Sequence, residues 1–282
     1  MGIRIFSCLL VSSLLLSGCS QEIDSPDPAT FYTNIVKNRL KIKPEDLVKY
    51  YSTQSLQDED VSPDKFASNL QKDIDDLKFK GFTIEDVKVN DVNKYNESTV
   101  ILHATIKFKT SDKVEDQFAN DTVVLIKETN TWRMSFDNLI KRYRYADSCG
   151  VSGSIKLCIS DAYIFPDKTM FIANVNNSSN VKYTFGFASP ASTLIVLEDK
   201  SEVYGNFPSV HSGQSHSSAT VLSGDNQIIF YFGTAMDPEL VKAKPIYFAV
   251  NQLKKLGWGD MPSLSDKGKQ IDINLNESGG SL

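Results

Sequence analysis

Basic blocks, long apolar runs, histidine and cysteine are all scarce in this 282-residue sequence, and each shortage excludes something. Lys and Arg number 30 against 35 Asp and Glu, a net charge of −5. The basic residues are dispersed, so the concentrated positive face that nucleic-acid binding requires is missing. No apolar run approaches the roughly 20 residues of a membrane-spanning helix; later runs such as Leu194-Ile195-Val196-Leu197 are strand-length. Gly-x-Ser-x-Gly, His-Glu-x-x-His, Gly-x-Gly-x-x-Gly and a Walker loop are all absent, which removes the common motif-borne chemistries. Of the three His, His211 and His216 lie in a Ser/Gly-rich stretch with no acidic or Cys residue close by, and they read as solvated loop residues, not metal ligands. No metal or cofactor is expected.

What is present begins with the first twenty residues. Arg4 precedes an apolar stretch, Ile5 to Leu16, followed by small residues, the layout of a secretory signal. The stretch ends in Leu16-Ser17-Gly18-Cys19, which resembles the lipobox of bacterial lipoproteins. The resemblance implies a signal over 1–18, cut before Cys19, whose thiol carries a diacylglycerol. Two or more acyl chains hold a protein stably on a membrane where one does not. Residues 19–29, broken by Pro26 and Pro28, read as the tether. Ser20 after the lipidated Cys implies the outer membrane in a Gram-negative cell; with a single membrane, the outer face of the plasma membrane.

With Cys8 lost in the signal and Cys19 acylated, Cys149 and Cys158 remain. Export permits disulfides, and two remaining Cys close in sequence suggest one structural bridge. A metal site would need further ligands that the local sequence lacks.

From residue 30 the pattern is helical. Phe31, Ile35 and Val36 share a face; Pro44 stands where a helix can begin, ahead of Leu47 and Val48; Ser62-Pro63 reads as an N-cap and first helical position. Phe66, Leu70, Ile74 and Leu77 recur at helical spacing up to Gly81. The period then changes to two. Val87 and Val89 alternate with polar residues; Val100, Leu102, Ala104, Ile106 and Phe108 face one way, and Ile101, His103, Thr105 and Lys107 the other. Asp121 to Lys127 and Trp132 to Phe136 are further strands, with a turn at Asn130-Thr131. Helices before a curved antiparallel sheet make an α+β pattern. The order, with the strand–turn–Trp-x-Met ending, resembles the NTF2-like (cystatin-like) domains of bacterial lipoproteins over 30–145, which implies helices packed on a cone-shaped sheet.

Beyond residue 145 the pattern is all-β. Expected strands are Lys156 to Phe165, Thr169 to Asn176, Val181 to Ala188, Thr193 to Leu197, Ser217 to Leu222, Gln227 to Gly233, Pro245 to Leu253 and Gln270 to Leu275. A short helix over Asp237 to Lys242 is expected among them. The order, ending in Ile271-Asp272-Ile273-Asn274-Leu275, is similar to immunoglobulin-like sandwiches of the DUF4352 type over 146–276, leaving 277–282 as a loose tail.

Few residues stand out as candidates for chemistry. His103 lies mid-strand and is of the residue type that serves as a general base or ligand contact, but its neighbours Thr105 and Lys107 point to a wet outer face. Tyr50, Tyr51 and Trp132 are candidate pocket residues, although aromatics at such spacing commonly form plain core. Lys141, Arg142 and Arg144 could meet anionic headgroups. The sequence thus describes a tethered, extracytoplasmic protein held on the membrane by acyl chains. It is expected to act as a non-enzymatic binding or interaction module with an envelope protein partner. A ligand-binding or enzymatic cone pocket and a structural envelope component are the alternatives.

Overall fold

A computed structural model describes residues 26–185, 193–205, 209–210, 220–233, 245–256 and 268–276. The signal, Cys19, His211, His216, the helix expected at 237–242 and the tail at 277–282 lie outside these residues. No described helix is long and apolar enough to cross a membrane.

Four helices open the described chain: α1 (Pro28–Asn38), α2 (Pro44–Leu47), α3 (Thr53–Asp58) and α4 (Pro63–Phe79), with a 3-10 turn at Val48–Tyr50. Local chemistry sets their starts. Asp27 caps α1 by accepting from the Thr30 amide at 2.8 Å, Ser52 accepts from Ser55 N ahead of α3, and Ser62 accepts from Lys65 N ahead of α4. Proline occupies the first helical position of α1, α2 and α4, where its missing N–H costs nothing. α4 buries Phe66, Leu70 and Ile74 and stops at Gly81, whose φ of +62° suits glycine.

A four-stranded antiparallel meander follows, in the order β1 (Thr83–Lys94), β2 (Thr99–Thr110), β3 (Lys113–Glu128) and β4 (Thr131–Met134). The β3–β4 turn is carried by Thr129 and Asn130, both at positive φ, which matches the twist of a two-residue hairpin. One sheet face buries Val87, Val100, Leu102, Ala104, Val123 and Leu125 in a core shared with α1, α2 and α4.

The rest of the described chain is strand: β5 (Lys141–Arg144), β6 (Cys149–Ser152), β7 (Ile155–Ile164), β8 (Thr169–Asn177), β9 (Tyr183–Phe185), β10 (Thr193–Leu197), β11 (Glu202–Tyr204), β12 (Ser209–Val210), β13 (Thr220–Val221), β14 (Gly224–Phe232), β15 (Pro245–Lys255) and β16 (Lys269–Asn274). They form two six-stranded sheets. One runs β12-β14-β8-β7-β5 with β6 on β7, and the other β11-β10-β15-β9-β13 with β16 on β15. Alternating residues of both sheets share one core, in which Phe171, Phe185, Phe230, Phe232 and Phe248 interlock, Phe230 and Phe248 at 5.1 Å between centroids. At Gly150 on β6 an added Cβ would meet Asp272 O of β16 at 2.6 Å, so only glycine permits this approach. Cys149 and Cys158 stand directly opposite on β6 and β7 and form the disulfide.

The α+β class with an NTF2-like domain of helices packed on a sheet is overturned. Strand makes up 53% and helix 22% of the described residues, the helices are short, and several antiparallel sheets carry the described chain. The physical reason lies largely in β3. Its first half, Lys113-Val114-Glu115-Asp116-Gln117-Phe118-Ala119-Asn120, scatters three apolar residues among five polar ones without a period of two, so hydrophobic period finds a strand only from Asp121 onwards. Pairing with β2 along its length, from Lys113 opposite Thr110 to Ile126 opposite Thr99, makes the whole segment strand. Conversely, the strand expected at Trp132 to Phe136 stops at Met134, because Phe136–Asn138 turns into a 3-10 element. β5 pairs with β7, so the chain changes sheets immediately after that turn.

Candidate functional site

The outer face of the meander meets the second half of the chain along an open cleft of about 790 Å³. Strand register builds its floor. Because β1, β2 and β3 are antiparallel neighbours, Asp91, His103 and Thr122 fall in one cross-strand row. The Thr122 hydroxyl meets His103 Nδ1 at 2.9 Å, and Asp91 Oδ1 lies 3.9 Å from Nε2. The neighbouring row is polar as well: Asn90, at an irregularity in β1, donates to Thr105 Oγ1 at 3.0 Å, and Thr105 donates to Asn120 Oδ1 at 3.2 Å. Asn93, Lys94 and Ile101 continue the lining towards the second half.

Two turns form the walls. The first is the 3-10 turn at 136–138, where Asp137 and Asn138 take φ of +52° and +60° in succession. Asx residues tolerate this region better than others, yet two in a row store strain. The Asn138 side chain holds the turn against β3: Nδ2 donates to Thr122 O at 2.7 Å, and Oδ1 accepts from Val124 N at 3.1 Å. The second wall is the β7–β8 turn, Phe165–Lys168, closed by Phe165 N donating to Lys168 O at 2.9 Å. Lys168 Nζ sits 5.0 Å from the Phe165 ring centre. Among the described residues, no ion pair joins Lys94, Asp137, Asp167 and Lys168 to one another. The cleft thus offers both charge signs, amides and hydroxyls beside the apolar Ile101 and Pro166.

Charge also gathers below the first wall. Burial, and then the nearby Asp137 charge, hold the Glu59 carboxyl above the usual carboxylate range. Next to it Arg142 forms a strut between the two halves. Its Nε donates to Asp161 Oδ1 at 2.8 Å, one terminal nitrogen donates to Asp60 Oδ2 at 2.9 Å and to Asp58 O at 2.5 Å, and the guanidinium lies 5.0 Å from the Tyr163 ring centre.

On the opposite face of the sheet, against α1, is a second and smaller cavity of about 180 Å³. Tyr32, Arg39, Leu47, Tyr51, Asp121 and Met134 surround it, and Asp137 and Asn138 line both hollows. The Tyr32 hydroxyl donates to Asp121 Oδ2 at 2.5 Å. Burial, then this bond, push the Tyr32 phenol well above its ordinary value, and burial does the same for Tyr51.

The sequence-derived candidates therefore separate. His103 lines the outer cleft and Tyr51 the inner cavity. Tyr50 packs near Phe31 at 6.3 Å, and Trp132 belongs to the core, donating from Nε1 to Pro26 O at 2.9 Å and so pinning the approach to α1. Arg142 is taken up by its strut, while Lys141 and Arg144 are exposed, Lys141 lying over the Tyr143 ring at 4.4 Å. Asn93, Lys94, Thr122, Asp137, Asn138 and the turn at 165–168 are not singled out by sequence reasoning. The signals available were the Asp137-Asn138 pair after a strand and the Pro166-Asp167 turn. Among the described residues no three His, Cys, Asp or Glu side chains gather as a metal would need. No protein-family profile and no curated protein matches the chain.

Proposed function

We propose that this protein is a lipid-anchored, extracytoplasmic binding module of the cell envelope, which holds a ligand or partner segment in the outer cleft without transforming it. The observation that carries the reading is the cleft itself. It is roomy, and its two lysines and two aspartates are not consumed by pairing with one another. Strain held in a site is a common mark of function, and here two successive left-handed residues form a wall. A partner segment carrying both charges beside small apolar groups fits this lining. On this reading His103 is a contact group, oriented by Thr122 on one ring nitrogen and facing Asp91 with the other. The anchor part of the proposal rests on Leu16-Ser17-Gly18-Cys19 following an apolar stretch.

Photo-crosslinking in intact cells tests the cleft. A crosslinking amino acid at Asn93 or Lys168 is expected to capture a discrete partner, whereas the same probe at the exposed Val151 on β6 captures none. Equal or empty profiles at all three positions overturn the proposal. Cys19→Ala, followed by fractionation, is expected to release the protein from the membrane; retention there overturns the anchor.

A further inference from the structure

The inner cavity is lined by Arg39, a half-buried arginine whose inner nitrogen meets no acceptor. Arg39, just past the end of α1, has its Nε fully buried with no hydrogen-bond partner, and no ion pair engages its guanidinium among the described residues. Buried donors are nearly always satisfied, and one that is not points to a missing acceptor. The hollow beside it, at about 180 Å³, is far larger than the roughly 10–15 Å³ that a single water requires.

The rest of the lining defines what the acceptor is. Tyr51 presents a phenol whose pKa burial raises, so it stays a neutral donor through the physiological range. Asp121 is occupied by the Tyr32 hydroxyl, and its charge, with that of Asp137, faces the same space. One cation opposite two carboxylates disfavours a dianion such as phosphate. A planar carboxylate suits the guanidinium fork and brings a single negative charge. Ile35, Val36, Leu47, Val123 and Met134 supply an apolar wall for whatever is attached to it.

We infer that the inner cavity binds a small monocarboxylate, its head on Arg39 and the Tyr51 hydroxyl and its short apolar tail against Leu47 and Met134. This site is independent of the outer cleft and of the membrane anchor, and it shares with the cleft only the wall formed by Asp137 and Asn138.

Calorimetric titration of the full chain with butyrate and benzoate tests this, with butyramide and inorganic phosphate as comparison probes. Saturable binding is expected for at least one carboxylate and not for the amide or phosphate. Arg39→Met, which keeps the aliphatic stem, is expected to weaken it by at least about ten-fold. Arg39→Lys, which keeps the charge but loses the fork, falls between, and Tyr51→Phe weakens it less than Arg39→Met. Because Nε of the unliganded arginine lacks a partner, Arg39→Met without ligand is expected to melt no lower than the natural protein. No saturable carboxylate binding, equal binding of butyramide or phosphate, undiminished binding by Arg39→Met, or a marked fall in its unliganded melting temperature would each overturn the inference.

Discussion

Arg142 Nε and Asp161 Oδ1 meet at 2.8 Å with side chains only 10% and 15% exposed, joining β5 to β7 while the same guanidinium reaches back to the α3 end at Asp58 and Asp60. Removing one member of a largely buried pair leaves the other charge stranded. Arg142→Ala is therefore expected to lose about 3 kcal/mol in urea unfolding. Asp60→Asn, whose side chain is 74% exposed, should lose no more than about 1 kcal/mol. Similar losses for the two variants would contradict the strut.

Asp137 and Asn138 share a backbone conformation but not a role. Asp137→Gly relieves a positive φ and is expected to gain about 1 kcal/mol. Asn138→Ala puts a less tolerant residue at positive φ and loses the bonds to Thr122 O and Val124 N, a loss of at least about 2 kcal/mol. Opposite signs in equilibrium unfolding check the assignment. If Asp137 contributes to the cleft, partner capture at Lys168 should fall in Asp137→Gly even as stability rises.

Glu59 sets a pH dependence. Its folded pKa lies above the ordinary value near 4.5, because burial first and Asp137 second disfavour the charge. Its stabilising contribution is thus fully present below that ordinary value and is lost as pH rises through the raised one. Glu59→Gln cannot ionise, so it is expected to melt higher than the natural protein near pH 7 and level with it near pH 3. A melting difference that does not change with pH would count against this.

The Cys149–Cys158 disulfide bridges two directly opposed residues of one hairpin. The double change to serine shortens no strand but frees the unfolded chain, and a loss of about 2–3 kcal/mol is expected. Melting with and without reductant measures it in the natural protein. Reductant should leave the serine variant unmoved.

Some of this was legible because it is local. The face of Phe66, Leu70 and Ile74 on α4, and the cap at Ser62, follow from helical spacing and a side chain that reaches only three residues along the chain, whereas the caps at Asp27 and Ser52 came to light only in the structure. The second-half strands carry clear alternation on buried positions, as in Phe171, Ala173 and Val175 of β8. The first half of β3 was not legible, since its mostly polar, aperiodic residues resemble a loop until β2 pairs with it. The cleft was nearly invisible. His103 could be placed on the outer face by alternation, but Thr122 and Asp91 become its neighbours only through register.

The sequence by itself determined what depends on neighbours along the chain: where α2 and α4 begin, which residues of a strand share a face, and that Cys149 and Cys158 were close enough to bridge. The tertiary structure decided the class of the fold, the strut at Arg142, the cleft beside His103 and the cavity lined by Arg39, whose Nε is unpartnered. Each of these joins segments far apart in the chain, such as Asp60 with Arg142 or Tyr32 with Asp121. Periodicity carries no information about such distances, because side-chain alternation says which face a residue occupies and not what comes to lie against it.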